Sequence, residues 1–205
     1  MGKEKYIRGL FIEPNQYPRK LKIENGLSTL QKAVNGYIQC IDHPNGSTII
    51  CNEEGKINGE KLNRILYNDC GEIIDVIAGN MVIVGFNAEE GEFVSMTDEQ
   101  IAEATEQFLY PDMFFKINDD VHMVNINWLF NFSGDKDIVF TDRNTSEEKH
   151  KITCKDDIEQ LKLYAFINRN RSEVVRNMNC DITTIEISGS KEPTNQLYDF
   201  GDEER

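Results

Sequence analysis

The chain has 205 residues, with 22 basic side chains against 36 acidic ones and a formal net charge of −14. A face that grips duplex nucleic acid neutralises phosphates with Lys and Arg, so direct duplex DNA binding is not expected at this charge. Apolar residues at 39% and aromatics at 9% suffice for a packed core and exclude wholesale disorder.

No apolar run approaches the roughly 18 residues of a membrane-spanning helix. The N-terminal segment is charged and lacks the apolar stretch of a signal peptide. The expectation is a soluble protein of the cytoplasm with no membrane partner.

In chain order, Tyr6 to Glu13 is short, apolar and β-prone, and Leu21 and Ile23 alternate with charges as an edge strand does. After Asn25-Gly26, the spacing of Leu27, Leu30, Val34 and Tyr37 predicts one helical face, stopped at Gly36. YIQCID and STIICN flank a His-Pro-Asn-Gly turn and predict a hairpin. Leu62, Ile65 and Leu66 predict a short helix.

EIIDVIAGNMVIVGF is β-like, with a bend, a bulge or a hairpin turn at Gly79-Asn80. Phe93 to Met96 is another strand. Thr97 and Gln100 then form a capping box for a helix whose stripe is Ile101, Ala104 and Phe108, ended by Pro111.

In the second half, HMVNINWLFNF, DIVFTDR and EKHKITC read as strands. Thr153 opens a second possible capping box, T-C-K-D, for a helix apolar on two sides, expected to pack from both and to break at RNRS. CDITTIEI is a closing strand. The fold class is α+β, mostly antiparallel sheet with three or four helices. It divides into an α+β domain over 1–112, an α+β extension over 113–190 and an acidic, frayed end over 191–205, with two subdomains a possibility the pattern allows.

The cysteines at 40, 51, 70, 154 and 180 contain no C-x-x-C pair, so zinc and thioredoxin-type spacings are absent and reduced thiols are expected. Cys40 and His43 point to opposite faces of a strand, which disfavours a metal site there. Cys40 and Cys51 read better as small buried hydrophobes.

Residues from about 8 to 105 resemble domain-of-unknown-function family 3846, found in bacteria, phages and plasmids. The resemblance rests on an ordered set of motifs. A strand ends in Glu13-Pro14, and a helix with Leu27, Leu30, Gln31, Val34 and Gly36 runs into Tyr37-Ile38. Cys51-Asn52-Glu53-Glu54-Gly55-Lys56 follows, then Leu62-Asn63-Arg64. I-x-G-N-x-x-I-V-G at 77–85 leads into a V-S-M-T-D-E-Q helix start. The resemblance implies a setting, mobile elements in a bacterial host cytoplasm, where accessory proteins often blunt host defences.

Candidate ligand residues fall in two groups. Asn52, Glu53, Lys56, Asn63 and Arg64 gather polar groups at strand ends, with Arg64 the natural anchor for phosphate or carboxylate. The plainer reading is an Asx-rich turn with Arg64 paired to Glu53 or Glu54. Arg169, Arg171 and Arg176 form the basic cluster of the second half, suited either to an anion or to a solvated helix end. Trp128, Phe130 and Phe132 share one strand face, which reads as core. His43, His122 and His150 have no neighbouring nucleophile motif, and no hydrolase, kinase or dinucleotide fingerprint is present.

The expected function is that of a mobile-element binding protein that counters a host defence by sequestering a small anionic nucleotide. An acidic inhibitor or DNA mimic that blocks a host defence protein is the alternative, and an enzyme acting on a small polar substrate is the second. No cofactor, metal or catalytic residue is assigned, and a homo-oligomer is allowed.

Overall fold

The computed structural model describes residues 4–68, 70–117, 120–178 and 185–187. Its elements are β1 (Tyr6–Ile12), β2 (Arg19–Glu24), α1 (Leu27–Val34), β3 (Ile38–His43), β4 (Ser47–Asn52), β5 (Leu62–Tyr67), β6 (Ile73–Ala78), β7 (Met81–Asn87), β8 (Glu92–Val94) and α2 (Asp98–Gln107). They continue with β9 (Asp112–Ile117), β10 (Asp120–Asn125), β11 (Leu129–Phe132), β12 (Asp137–Thr141), β13 (Glu148–Thr153), α3 (Asp157–Asn177) and β14 (Ile185–Ile187). The fold is α+β, and among the described residues every strand pair is antiparallel except β14 with β2.

The main sheet runs β14-β2-β1-β7-β4-β3, with β8 on β7. Its centre is β7, where Met81, Val82, Ile83 and Val84 are each 0% exposed. Such a run has no polar alternation because both faces are covered. Val82 and Val84 pack under α1 with Leu30 and Val34. Met81 and Ile83 pack against Ile101, Ala104 and Phe108 of α2 and its end, and against Leu66 and Ile77 of the β5–β6 pair. A third cluster, including Met113, Phe130, Ile138, Phe140, Leu163 and Ile167, joins β9, β11, β12 and α3.

Several expectations change. Residues 62–67 form a strand, β5, not a helix. Its register shifts between Leu62 and Ile65, and such a bulge spaces inward residues by three, which imitates a helical period. β2 is not an edge, because β14 pairs beside it. Leu27 and Tyr37 are exposed, so the inward face of α1 is Thr29, Leu30, Ala33 and Val34. Gly79-Asn80 is a corner between sheets, since β6 pairs with β5 while β7 pairs with β1, β4 and β8. Gly79 has φ +77°, a left-handed conformation that favours glycine at this corner.

The strand expected over 122–132 is two, β10 and β11, with Trp128 in the turn between them. β9 had no expectation. Asp156, not Thr153, caps α3, its carboxylate accepting from the Glu159 N–H at 2.8 Å, while Thr153 is the last residue of β13. The helix runs unbroken through 169–172, where Arg is a good helix former and the Asn170 amide bonds back to the Phe166 carbonyl at 2.8 Å. Among the described residues, only one side of α3 is covered: Leu163 and Ile167 are buried, while Ile158 and Leu161 are exposed. Cys51 is buried, but Cys40 faces solvent from β3. The closing strand lies partly, and the acidic end wholly, outside the described residues.

Candidate functional site

The predicted ligand residues sit in three environments. Asn52 is buried at the end of β4, where its Oδ1 accepts from the Glu54 N–H at 3.0 Å and its Nδ2 donates to the Asn35 carbonyl and to Glu60. That is the Asx turn of the plainer reading. Glu53 and Lys56 are exposed, and Lys56 is paired with Asp75. Arg169 and Arg176 are exposed on α3. Arg171 instead donates to the Trp128 carbonyl at 3.3 Å and lies over the Phe130 ring. Burial and the nearby Arg143 pull its pKa down.

Asn63 and Arg64 are 0% and 1% exposed. Asn63 Nδ2 donates to the carbonyls of Ile12 and Gly79, and its Oδ1 accepts from Arg64. Arg64 directs Nε and Nη2 to the Phe108 carbonyl, Nη2 also to the Gln16 carbonyl at 2.7 Å, and Nη1 to Asn63. A guanidinium has five N–H donors, and these contacts engage all of them. Arg64 therefore ties the end of α2, the β1–β2 loop and β5 together, and no donor is left for a phosphate.

Its charge partner is Asp112, not Glu53 or Glu54. Burial lowers the Arg64 pKa to about 10, opposed by Asp112, so it stays cationic at neutral pH. Burial pushes the Asp112 carboxyl up, opposed by the Ile65 N–H, the Asn125 amide and Arg64. Burial and Asp112 push the nearby Tyr67 to about 12.

Gln16 and Asp112 of this joint line a cleft of about 470 Å³. The β1–β2 loop contributes Asn15 and Gln16, Lys61 enters from just before β5, β9 contributes Asp112 and Phe115, and α3 contributes Phe166, Asn170 and Glu173. The Gln16 side chain donates to the Asn177 carbonyl at 3.1 Å and so spans the cleft's end. Phe115 and Phe166 meet edge to face, 5.9 Å apart. On α3, Arg169 and Arg176 lie about a quarter turn from the line that faces the cleft. The cleft thus offers ring faces, side-chain amides, one lysine and two acids. Its size lies within the ~300–1,000 Å³ of small-molecule sites.

Sequence reasoning missed this cleft because its wall includes β9, which had no expectation, and a helix face expected to be broken. It also missed two histidine clusters. His43 Nδ1 lies 3.2 Å from the Ser47 hydroxyl, with Gln107 Oε1 2.8 Å from Nε2. The Ser47 hydroxyl donates to Asn45 Oδ1 at 2.6 Å and the residue is 3% exposed, so this cluster is a satisfied buried network without an open nucleophile. His122 Nδ1 lies 3.1 Å from His150 Nε2.

Among the described residues, no three or more His, Cys, Asp or Glu side chains gather to hold a metal ion, and no helix is long and apolar enough to cross a membrane.

A family model described as Domain of unknown function (DUF3846) matches residues 7–109. No curated protein and no solved structure matches the chain.

Proposed function

We propose that this chain, which belongs to the DUF3846 family through residues 7–109, is a binding protein that holds a small ring-bearing ligand in its cleft without turning it over. One observation carries the reading: Phe115 and Phe166 border a space of about 470 Å³ that is also lined by Asn15, Gln16 and Asn170. Aromatic side chains stack planar heterocycles, and amides both donate to and accept from their edges. A nucleoside has this chemistry. Lys61 can meet one phosphate, while Asp112 and Glu173 disfavour a polyphosphate inside the cleft.

The nucleotide reading is thereby narrowed to base and sugar within, with any phosphate near Lys61. Interception of a host-defence signal is the role the mobile-element setting suggests. A second reading, inhibition of a host protein, draws on the solvent face of α3, where Ile158 and Leu161 are 64% and 60% exposed.

The test is native mass spectrometry and thermal shift of the full chain with adenosine, AMP and ATP. Adenosine and AMP are expected to bind and be released intact, with ATP no tighter. Phe166→Ala is expected to weaken adenosine about tenfold, roughly 1.4 kcal/mol, while Arg169→Ala changes nothing. Failure of all three to bind wild type, or an unchanged affinity in Phe166→Ala, overturns the reading.

A further inference from the structure

Phe115, on the cleft wall, is the inner end of an aromatic chain that leads away from the cleft. Its outer face stacks on His122, its cross-strand partner, with ring centroids 5.7 Å apart and planes 27° from parallel. His122 meets His150 of β13, and His150 lies 5.8 Å from Phe140, a core ring 1% exposed. The two histidines therefore bridge the β9–β10 hairpin and the β11–β13 sheet, with the cleft one ring away.

We propose that the His122–His150 pair is a proton-operated control of the cleft: with both rings charged, their hydrogen bond is lost and the Phe115–Phe166 wall shifts. This rests on the cleft being the ligand site.

The proton count supports it. A single hydrogen fits between His122 Nδ1 and His150 Nε2 at 3.1 Å. In the neutral pair one nitrogen donates and the other accepts. A first added proton goes to a nitrogen outside the contact and leaves the bond intact. A second sets N–H against N–H and two like charges in contact, so the rings must part. Because the sites are coupled, the two steps belong to the pair and not to either ring.

The surroundings decide the direction. Burial lowers both pKa values, and the His122 charge lowers that of His150 further. Asp120, on the same strand, acts the other way on His122. Phe115 of β9 and Phe140 of β12 are the uncharged cross-strand neighbours. Lys116 pairs across from Val121 and Lys151 follows His150, so strand alternation turns these two to the opposite faces, while Lys149 falls at the register shift of β13. Lys151 is held by Asp137 at 3.2 Å, and Lys149 by Glu147. The pair is neutral at neutral pH and becomes doubly charged only in acid.

The test uses the full chain labelled with 4-fluorophenylalanine, with Phe115 and Phe166 signals assigned through Phe→Leu variants. Between pH 8 and pH 5 both fluorine signals are expected to move together with the histidine ring protons. In His122→Gln and in His150→Gln they are expected to stay still; either variant alone removes the pair, so one that folds is enough. Adenosine, which does not titrate in this range, is the binding probe, and its affinity is expected to fall about tenfold toward pH 5 in wild type and less than twofold in the variants. Fluorine signals that ignore the histidine titration, or that move equally in the variants, overturn the proposal. If adenosine fails to bind at any pH, the ligand reading falls while the fluorine titration still decides the coupling.

Discussion

The apolar clusters of residues 7–109 and of the part that follows differ most in the rings at their margins. Around β7 the two clusters are mostly aliphatic: Leu10, Ile12, Ile49, Met81 and Ile83 on one face, Ile7, Leu21, Ile23, Val82 and Val84 on the other. The third cluster is also aliphatic at its centre, with Ile138, Ile152 and Ile167, but it buries Phe130 and Phe140 and packs Tyr17, Tyr110, Phe115, Trp128 and Tyr164 around them. β-branched aliphatics suit a strand covered on both faces. Rings cover much area per residue, so two small sheets can close on one face of α3. They also leave ring edges at the margin, and the cleft lies there.

The joint between the regions should give the largest effect. Removing one partner from a buried charged network costs about 3–5 kcal/mol, and Arg64→Ala is expected to lower the urea midpoint accordingly. Arg64→Lys should not restore it, since a lysine cannot bridge the Gln16 and Phe108 carbonyls and Asn63 at once. Trp128, the only tryptophan of the chain, lies against the aromatic cluster and reports that region, while far-UV circular dichroism reports the whole. In Arg64→Ala the two curves are expected to separate. Coincident curves with a loss under about 1 kcal/mol would mean that Arg64 is not the tie.

Within each region, Ile83→Ala and Ile138→Ala each leave a cavity at a site 0% exposed, with an expected cost of about 2–5 kcal/mol. Ile138→Ala should advance the Trp128 transition first, and Ile83→Ala should not. Equal shifts of both probes in both variants would make the regions one cooperative unit.

Acid should separate them as well. His122 and His150 are both held below the ordinary value of 6.5. The unfolded chain takes up their protons more readily, so their contribution is whole above that value. It is lost as pH falls through 6.5 and then through the folded values. The Trp128 midpoint is expected to drop between pH 7 and pH 5, and the drop should flatten in the His122→Gln/His150→Gln double variant.

How far the sequence revealed each region follows from the same contrast. The alternation in β2, the Asn-Gly turn before β4 and the Thr97–Gln100 capping box are local signals, and the structure keeps them. β5 was misread because its bulge mimics a helical spacing, and Arg64 because a polar motif at a strand end looks the same whether its donors face solvent or three carbonyl oxygens. The cleft was not legible at all. Its wall comes from residues as distant as Asn15 and Asn170, and nothing local marks which side of α3 would be covered.

The helix caps give the smallest difference and the sharpest contrast. Thr97 caps α2 with both bonds of a capping box, the Gln100 N–H to Thr97 Oγ1 at 3.1 Å and the Thr97 N–H to Gln100 Oε1 at 2.9 Å. Asp156 caps α3, while the Glu159 carboxylate accepts from the Lys155 N–H at 2.6 Å. Loss of either cap side chain costs about 1 kcal/mol, or about 2–4 °C for a protein of this size. Yet α2 is ten residues long and anchored by Ile101 and Ala104 in an aliphatic core, whereas α3 has twenty-one residues and a solvent face carrying Ile158 and Leu161. Asp156→Ala should therefore fray a helix that tertiary packing holds on one side only, and the Trp128 signal should register it. Asp156→Asn, which keeps the accepting oxygen, should retain most of the stability. Thr97→Ala should leave the Trp128 signal unmoved at the same temperature. If Thr97→Ala moved it as much as Asp156→Ala, the aromatic region would depend on α2 through the Phe108 carbonyl that Arg64 grips, and the two cores would share one fate.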